Sequence, residues 1–96
     1  MLMLITYDVS TTTGAGRRRL RRVARACLDY GQRVQNSVFE CEVDPAQWVA
    51  LRARLIAEIQ PDEDSLRFYR LGADGKRRVE HIGAKPATDL EGPLLF

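Results

Sequence analysis

Asp8 is the residue whose position most clearly suggests chemistry, because it ends an apolar run that is typical of a buried strand. A carboxylate there is costly to bury unless it is paired or bound to a metal. Mg²⁺ prefers one or two carboxylates together with water and phosphate oxygens. A two-fold axis near Asp8 would bring two such carboxylates to one ion, which could then activate water against a phosphodiester. The alternative is a carboxylate that only caps a loop.

Arginine accounts for 13 of the 15 basic residues, and seven arginines lie between Arg17 and Arg33, where Asp29 is the only acid. The planar guanidinium suits phosphate oxygens better than the hydrated ammonium of lysine does. This pattern therefore predicts contacts with a nucleic-acid backbone. The alternative is a solvated helix face without a partner.

Length and composition limit the classes of protein to which this chain can belong. Ninety-six residues, 45% hydrophobic and 29% charged, predict one globular domain with a thin core, which favours dimerisation. The opening Met1–Ile5 run is too short to span a bilayer and lacks the features of a signal peptide. Two cysteines, Cys27 and Cys41, are too few for a disulfide scaffold and are expected as buried thiols. We therefore expect a soluble, cytoplasmic protein with no membrane partner.

Hydrophobic periodicity predicts seven elements. Apolar residues at helical spacing predict a helix over about residues 16–30, with Gly31 as its stop, and Asp44-Pro45 is typical of the start of a second helix. A near-continuous apolar run predicts the first strand and period-two alternation predicts the second extended stretch, within which Asn36-Ser37 marks a bulge or kink. The predicted strands are residues 1–9, the two parts of 33–43, 65–71 and, after a turn at 72–75, residues 78–83.

This order predicts an α+β, ferredoxin-like β-α-β-β-α-β fold with one extra C-terminal strand. The sheet is antiparallel, with both helices on one face. Residues 1–83 form the domain, and 84–96 form a tail. Because Leu2 and Leu4 project to one side of the first strand and Met3 and Ile5 to the other, both sheet faces are apolar. We expect a homodimer in which a second copy covers the face that the helices leave open.

Several motifs together closely resemble a CRISPR-associated family, the smaller of the two proteins shared by nearly all spacer-acquisition systems of antiviral defence. The resemblance spans about residues 3–83. Its motifs are Tyr7-Asp8-Val9, the arginine-rich first helix, Gly31-Gln32-Arg33-Val34-Gln35-Asn36-Ser37-Val38-Phe39-Glu40 and Asp64-Ser65-Leu66-Arg67-Phe68-Tyr69. The stretch from Arg33 to Glu40 is the strongest signature.

The resemblance implies a ferredoxin-like homodimer with divalent-metal-dependent endonuclease activity on single-stranded RNA or double-stranded DNA. It implies Asp8 of each subunit as the catalytic residue and the ligand of Mg²⁺ or Mn²⁺. It also implies substrate contacts by Tyr7, Arg19, Arg21, Arg22, Arg33 and Phe39. The loop after Asp8 is longer than in many members, which leaves the choice among the three helical arginines open.

The resemblance further implies a partner, the larger CRISPR integrase, whose dimers this dimer would bridge. The alternatives to a nuclease are a non-catalytic adaptor in that complex and a related ribonuclease toxin. The tail 84–96 either crosses the dimer or docks a partner, or it packs back on its own domain.

Several single residues also have an ordinary structural interpretation. Tyr7 and Phe39 are also typical of core or interface positions, and Arg33 of a residue that offsets a helix dipole. His81, the only histidine, is predicted as a strand or surface residue, with general acid–base assistance as the alternative. Trp48 is predicted in the core.

Overall fold

The computed structural model describes residues 1–72 and 77–84, which form a five-stranded sheet and two helices. The elements follow the predicted order. They are β1 (Leu2–Asp8), α1 (Gly14–Leu28), β2 (Gly31–Gln35), β3 (Val38–Glu42), α2 (Pro45–Glu58), β4 (Ser65–Leu71) and β5 (Arg77–Gly83).

The sheet has the strand order β2-β3-β1-β4-β5, and every neighbouring pair is antiparallel. This confirms the predicted ferredoxin-like fold, with the apolar strand β1 in the centre. Ile5 lies opposite Phe39 on β3 and Phe68 on β4, so three large side chains meet in one row of the core. Each of them is at most 1% exposed.

The first helix begins two residues earlier than predicted. Thr13 caps it, because its side-chain oxygen accepts a hydrogen bond from the Gly16 amide at 3.0 Å. Val23 and Cys27 on its apolar side are fully buried, whereas the arginines on its other side are exposed. The helix ends at Leu28.

Gly31 does not stop this helix, so that expectation was wrong. It opens β2 opposite Cys41 on β3. A Cβ atom at Gly31 would lie 2.1 Å from the carbonyl oxygen of Glu40 and 2.7 Å from the Sγ of Cys41. The glycine is therefore required by the close approach of two strands, which local sequence patterns do not reveal.

Asn36 and Ser37 form a turn between β2 and β3, and the two strands run antiparallel. The predicted division into two short strands is confirmed, but the chain reverses direction there rather than bulging or kinking. The register irregularity lies instead between Arg33 and Gln35 on β2. A pair of short polar side chains is equally suited to both geometries.

The second helix begins as predicted. Asp44 is its N-cap and forms a capping box with Gln47, and Pro45 occupies the first turn. Its apolar side carries Leu51 and Leu55, which are fully buried. Trp48 packs edge-on against Phe68 with ring centroids 4.9 Å apart, so the predicted core position of this tryptophan is confirmed.

Both helices pack on the face that carries Met3 and Ile5. On the opposite face, here called the open face, Leu2 and Leu4 of β1 are half-buried. Coverage of the open face by a second copy stays a prediction. Among the described residues, neither helix is long and apolar enough to cross a membrane.

Two predictions concern segments that the structure describes only in part. The predicted turn at 72–75 is described only at Gly72, and the predicted tail 84–96 only at Ala84; the rest of each lies outside the described residues.

Replacement of Gly31 by alanine is expected to lower the free energy of unfolding by about 2 kcal/mol, because the new methyl group would press on the backbone of β3. The matched control is Gly14→Ala at the start of α1, where a Cβ would make only ordinary contacts of 3.7 Å or more. The control is expected to be neutral or stabilising by up to about 1 kcal/mol. Urea unfolding measures both, and equal stability of the two variants would contradict the close approach.

Candidate active site

Asp8 lies at the end of the central strand, with its carboxylate exposed on the open face. It pairs in register with Ser65 of β4, and Ser37 lies in the turn beside it. These residues line a shallow groove of about 300 Å³. The groove is formed by Thr6, Tyr7, Asp8, Ser37, Ser65 and Arg67.

The chemistry of this groove fits a hard cation in one respect. Its lining residues include the exposed Asp8 together with Ser37 and Ser65, and oxygen donors are the ligands that Mg²⁺ and Mn²⁺ accept. Within residues 1–72 and 77–84 there is no group of three or more His, Cys, Asp or Glu side chains that could hold a metal. A single chain therefore supplies one carboxylate, and a metal held here needs ligands from a second chain, from water or from substrate.

Tyr7, Arg33 and Phe39 form a separate cluster on the helix-side face. The rings of Tyr7 and Phe39 stack with centroids 5.9 Å apart, and the Arg33 guanidinium lies 5.1 Å from the centroid of Phe39. The Tyr7 hydroxyl donates to the backbone oxygen of Asn36 at 3.3 Å. Consecutive residues of a strand project to opposite faces, so the side chain of Tyr7 points away from that of Asp8 although both residues line the groove.

Burial raises the pKa of the Tyr7 phenol, and the nearby positive charge of Arg33 offsets part of this effect. Tyr7 is 6% exposed and Phe39 is fully buried. The phenol is therefore held in its neutral form and acts in this structure as a packing group. Contact of Tyr7, Arg33 or Phe39 with substrate stays a prediction.

Arg19 is an ion-pair partner of Asp64, an acid that is 1% exposed. The Nε of Arg19 donates to the Asp64 carboxylate at 2.7 Å. The same carboxylate accepts from the backbone amide of Ser10 at 3.0 Å and from that of Gln60 at 2.8 Å. Arg19 also reaches Glu63 at 3.3 Å.

Burial alone would raise the pKa of Asp64, but the hydrogen bonds from Arg19, Gln60 and Ser10 outweigh it and hold the pKa below its ordinary value. The ionised carboxylate thus joins α1, the loop after β1 and the loop before β4. Because Ser10 is two residues from Asp8, this hub fixes the chain that leaves the candidate site.

Arg21 and Arg22 lie on the exposed side of α1, away from the Asp8 groove. Arg22 approaches Glu58 of α2 at 3.7 Å, and Arg25 approaches Asp29 at 3.6 Å, in pairs that are largely solvated. We call the exposed arginines of α1 the arginine stripe; they are Arg17, Arg18, Arg21, Arg22 and Arg25.

The two cysteines are buried free thiols, as predicted. Burial raises the pKa of Cys27 to about 12 and that of Cys41 to about 11. Because a thiol needs its thiolate form to act as a nucleophile or a metal ligand, neither cysteine is suited to chemistry here.

Of the predicted site residues, Asp8 and Tyr7 line the groove, and the sequence analysis did not identify Ser65 and Arg67 of β4 as their neighbours. The signal was present in β4, where Ser65, Arg67 and Tyr69 alternate in sequence with the apolar Leu66 and Phe68. Period-two alternation predicts that the first three residues share a face. Only the pairing of β4 with β1 shows that this face is also the face of Asp8.

Comparison with known proteins assigns the family. Residues 1–79 match the family described as CRISPR associated protein Cas2. The chain belongs to the Cas2 family. A relative from Rhodospirillum rubrum, named CRISPR-associated endoribonuclease Cas2 3, is 69% identical over 95 residues, covering 99% of this chain and 100% of that protein. The CRISPR-associated endonuclease Cas2 of Halalkalibacterium halodurans is 60% identical over 96 residues and is matched over 100% of both chains.

Solved structures agree with this family. The crystal structure of Streptococcus pyogenes Cas2 at pH 6.5 superimposes with a TM-score of 0.70 and 61% identity, covering 75% of this chain and 87% of that chain. The predicted resemblance to a CRISPR-associated family is therefore confirmed, and the curated relatives in this Cas2 family are named endoribonucleases or endonucleases.

The Arg19–Asp64 pair makes a stability prediction. Arg19→Ala leaves a buried carboxylate without its charged partner, so the free energy of unfolding is expected to fall by about 3 kcal/mol. Arg21→Ala, on the same helix but exposed, is the matched control and is expected to change it by less than about 0.5 kcal/mol. Chemical denaturation compares the two, and equal small effects would show that Arg19 does not support the fold.

The same pair predicts the direction of the pH dependence. Since the pKa of Asp64 is lowered in the folded state, its stabilisation is complete above the unfolded pKa of about 3.9 and is lost as the pH falls below it. The difference in stability between the natural protein and Asp64→Asn should therefore shrink on acidification. A constant difference would contradict an ionised Asp64.

Proposed function

We propose that this Cas2-family chain is a metal-dependent endonuclease of CRISPR spacer acquisition that works as a homodimer, with Asp8 of each protomer at a shared divalent cation. The observation that carries the proposal is the exposed Asp8 carboxylate at the end of the central strand, beside a polar groove on the open face. The names of relatives at 60–69% identity support a nuclease, and membership in this family favours spacer acquisition over the toxin alternative.

The open face supports the proposed dimer. Leu2 and Leu4 are half-buried there, opposite Leu71 and Tyr69 of β4, and apolar side chains on such a face gain stability when a second layer covers them. A two-fold axis that passes near the end of β1 would place two copies of Asp8 together. The second copy of Asp8 would supply the carboxylate that one chain lacks.

Asp8 would hold Mg²⁺ or Mn²⁺ through its carboxylate oxygens. When bound, such an ion lowers the pKa of water and stabilises negative charge on a phosphodiester. The hydroxyls of Ser37 and Ser65 lie in the same groove and can donate to phosphate oxygens or orient a water. Hydrolysis of this kind needs neither an imidazole nor a thiol.

The arginine stripe would bind the backbone of double-stranded DNA or single-stranded RNA. Its guanidinium groups are exposed along one side of α1, and their exposed ion pairs with Glu58 and Asp29 are weak enough to exchange for phosphate contacts. Such binding is independent of base sequence. With nucleic acids as its substrates, the protein would act in the cytoplasm.

A second candidate is a non-catalytic adaptor that bridges dimers of the CRISPR integrase and supports DNA. The observation that favours it is the separation of two surfaces. The arginine stripe lies on the helix layer, whereas Asp8 lies on the opposite face of the sheet. DNA held along the stripe therefore need not approach Asp8, and the two functions are compatible in one protein.

Asp8→Ala separates these functions. Hydrolysis of duplex DNA and single-stranded RNA in Mg²⁺ or Mn²⁺ is expected to fall by about 100-fold or more, because the metal loses its protein ligand. Asp62→Ala, which removes another exposed carboxylate, is the matched control and should leave hydrolysis unchanged. Unfolding measurements on both variants check that the fold is retained.

The outcome for spacer acquisition is read in the same variants. Lost hydrolysis with retained acquisition would assign the adaptor role to the protein in that process. Hydrolysis that survives in Asp8→Ala at the natural rate would contradict the nuclease proposal.

The arginine stripe makes a prediction for binding. Arg21→Gln should reduce the slope of log K against log salt concentration by about 1, because one phosphate contact is lost. The loss of affinity should be the same for unrelated duplex sequences, measured by fluorescence anisotropy in EDTA. A strongly sequence-selective loss would contradict backbone binding, and Arg70→Gln on β4 serves as the control for net charge.

A further inference from the structure

The turn between β2 and β3 is held in place by Tyr7 of the central strand. The backbone amide of Tyr7 donates to the backbone oxygen of Ser37 at 3.1 Å, and its hydroxyl donates to that of Asn36 at 3.3 Å. One residue thus binds both consecutive carbonyls of the turn. Tyr7 is itself fixed, because its ring stacks on the buried ring of Phe39. The turn is therefore tied to the core, although Asn36 is exposed.

The same turn separates two neighbouring cavities. Ser37 lines the Asp8 groove, and together with Gln35 and Asn36 it also lines an open cavity of about 470 Å³. Because the two cavities share Ser37, they are continuous across the turn. A nucleic-acid strand that places a phosphate beside Asp8 can therefore continue into the second cavity with its next nucleotide.

The side chains of the second cavity differ in chemistry from the arginine stripe. Gln35 and Asn36 are exposed, and each carries a neutral amide that can both donate and accept hydrogen bonds. A phosphate offers acceptors only, whereas the edge of a nucleobase offers donors and acceptors together. Unpaired bases present such an edge to a protein. The second cavity is therefore better suited to a base than to a phosphate.

We infer that the cavity beside the Asp8 groove is a nucleobase subsite, in which Asn36 binds the base and Tyr7 positions Asn36 through the turn. The inference rests on the proposed function, in which a phosphodiester enters the Asp8 groove. The ligand is an unpaired base of the substrate strand, next to the phosphate at Asp8. Tyr7 is 6% exposed and acts through the turn rather than by contact with the base. A turn that is already held in place loses less conformational freedom when the ligand binds.

Binding of short single-stranded DNA in EDTA, measured by fluorescence anisotropy, tests the subsite without hydrolysis. Two strands of equal length and charge are compared, one with bases and one abasic throughout. Asn36→Ala is expected to weaken binding of the strand with bases about fivefold, as the loss of a neutral hydrogen bond does, and to leave binding of the abasic strand unchanged. Gln32→Ala removes another exposed amide of β2 that does not line the cavity, and this matched control should change neither affinity. Equal losses on both strands, or no loss on either, would overturn the inference.

Tyr7→Phe tests the positioning role, since it removes the hydroxyl and keeps the stacked ring. It is expected to weaken binding of the strand with bases about threefold and to have no effect on the abasic strand. In a protein that already carries Asn36→Ala, Tyr7→Phe should cause no further loss. Tyr30→Phe, at another partly buried tyrosine, is the matched control and should leave both affinities unchanged. Unchanged affinity in Tyr7→Phe, or an additive loss in the double variant, would overturn the positioning role.

The result is separable from that of the nuclease test. Urea unfolding of each variant checks that the fold is retained, and EDTA removes the cation, so binding is measured without hydrolysis. Base-dependent binding that Asn36→Ala abolishes would support the subsite even where Asp8→Ala leaves hydrolysis intact. Natural protein that binds the two strands equally would overturn the subsite even where Asp8→Ala abolishes hydrolysis.

Discussion

The ionised carboxylate of Asp64 is the constraint on which the geometry of the candidate site depends. It is buried, and it accepts hydrogen bonds from Arg19 and from the amides of Ser10 and Gln60. A buried charge is tolerated only when its partners are complete, so the three segments that supply these donors are held together. One of them leaves β1 directly after Asp8. The position of the exposed acid therefore depends on a second acid that never meets solvent.

The central strand divides the candidate functional residues of this chain between two environments. Tyr7 joins Phe39 and Arg33 in the layer beneath the helices, whereas Asp8 faces the open side. Of these two adjacent residues, Tyr7 thus packs in the core, whereas Asp8 is placed for chemistry. The arginine stripe lies on a third surface, the outer side of α1. A nucleic acid that contacts both the stripe and the groove must extend around the edge of one protomer or across two protomers.

The elements with local causes were predictable from the sequence. The apolar run of β1 and the Asp44-Pro45 start of α2 specify these elements within a few residues, and the strand-end position of Asp8 follows from β1 alone. The roles of Gly31 and Arg19 were not predictable, because each depends on a residue from another element. Gly31 needs Cys41 of the neighbouring strand, and Arg19 needs an acid 45 positions away. Pairing of strands, rather than periodicity, also brings Arg67 beside Asp8.

The alternation along β1 limits how this site can change. Moving the acid by one position in either direction would place it at Tyr7, inside the core, or at Val9, which is 8% exposed. A single-residue insertion or deletion within the strand would exchange its two faces along the shifted part. Relocation of the carboxylate is therefore possible only in steps of two, and Thr6 is the nearest alternative within the strand. The distance between the acid and the core rows of β1 can therefore change only by two residues at a time.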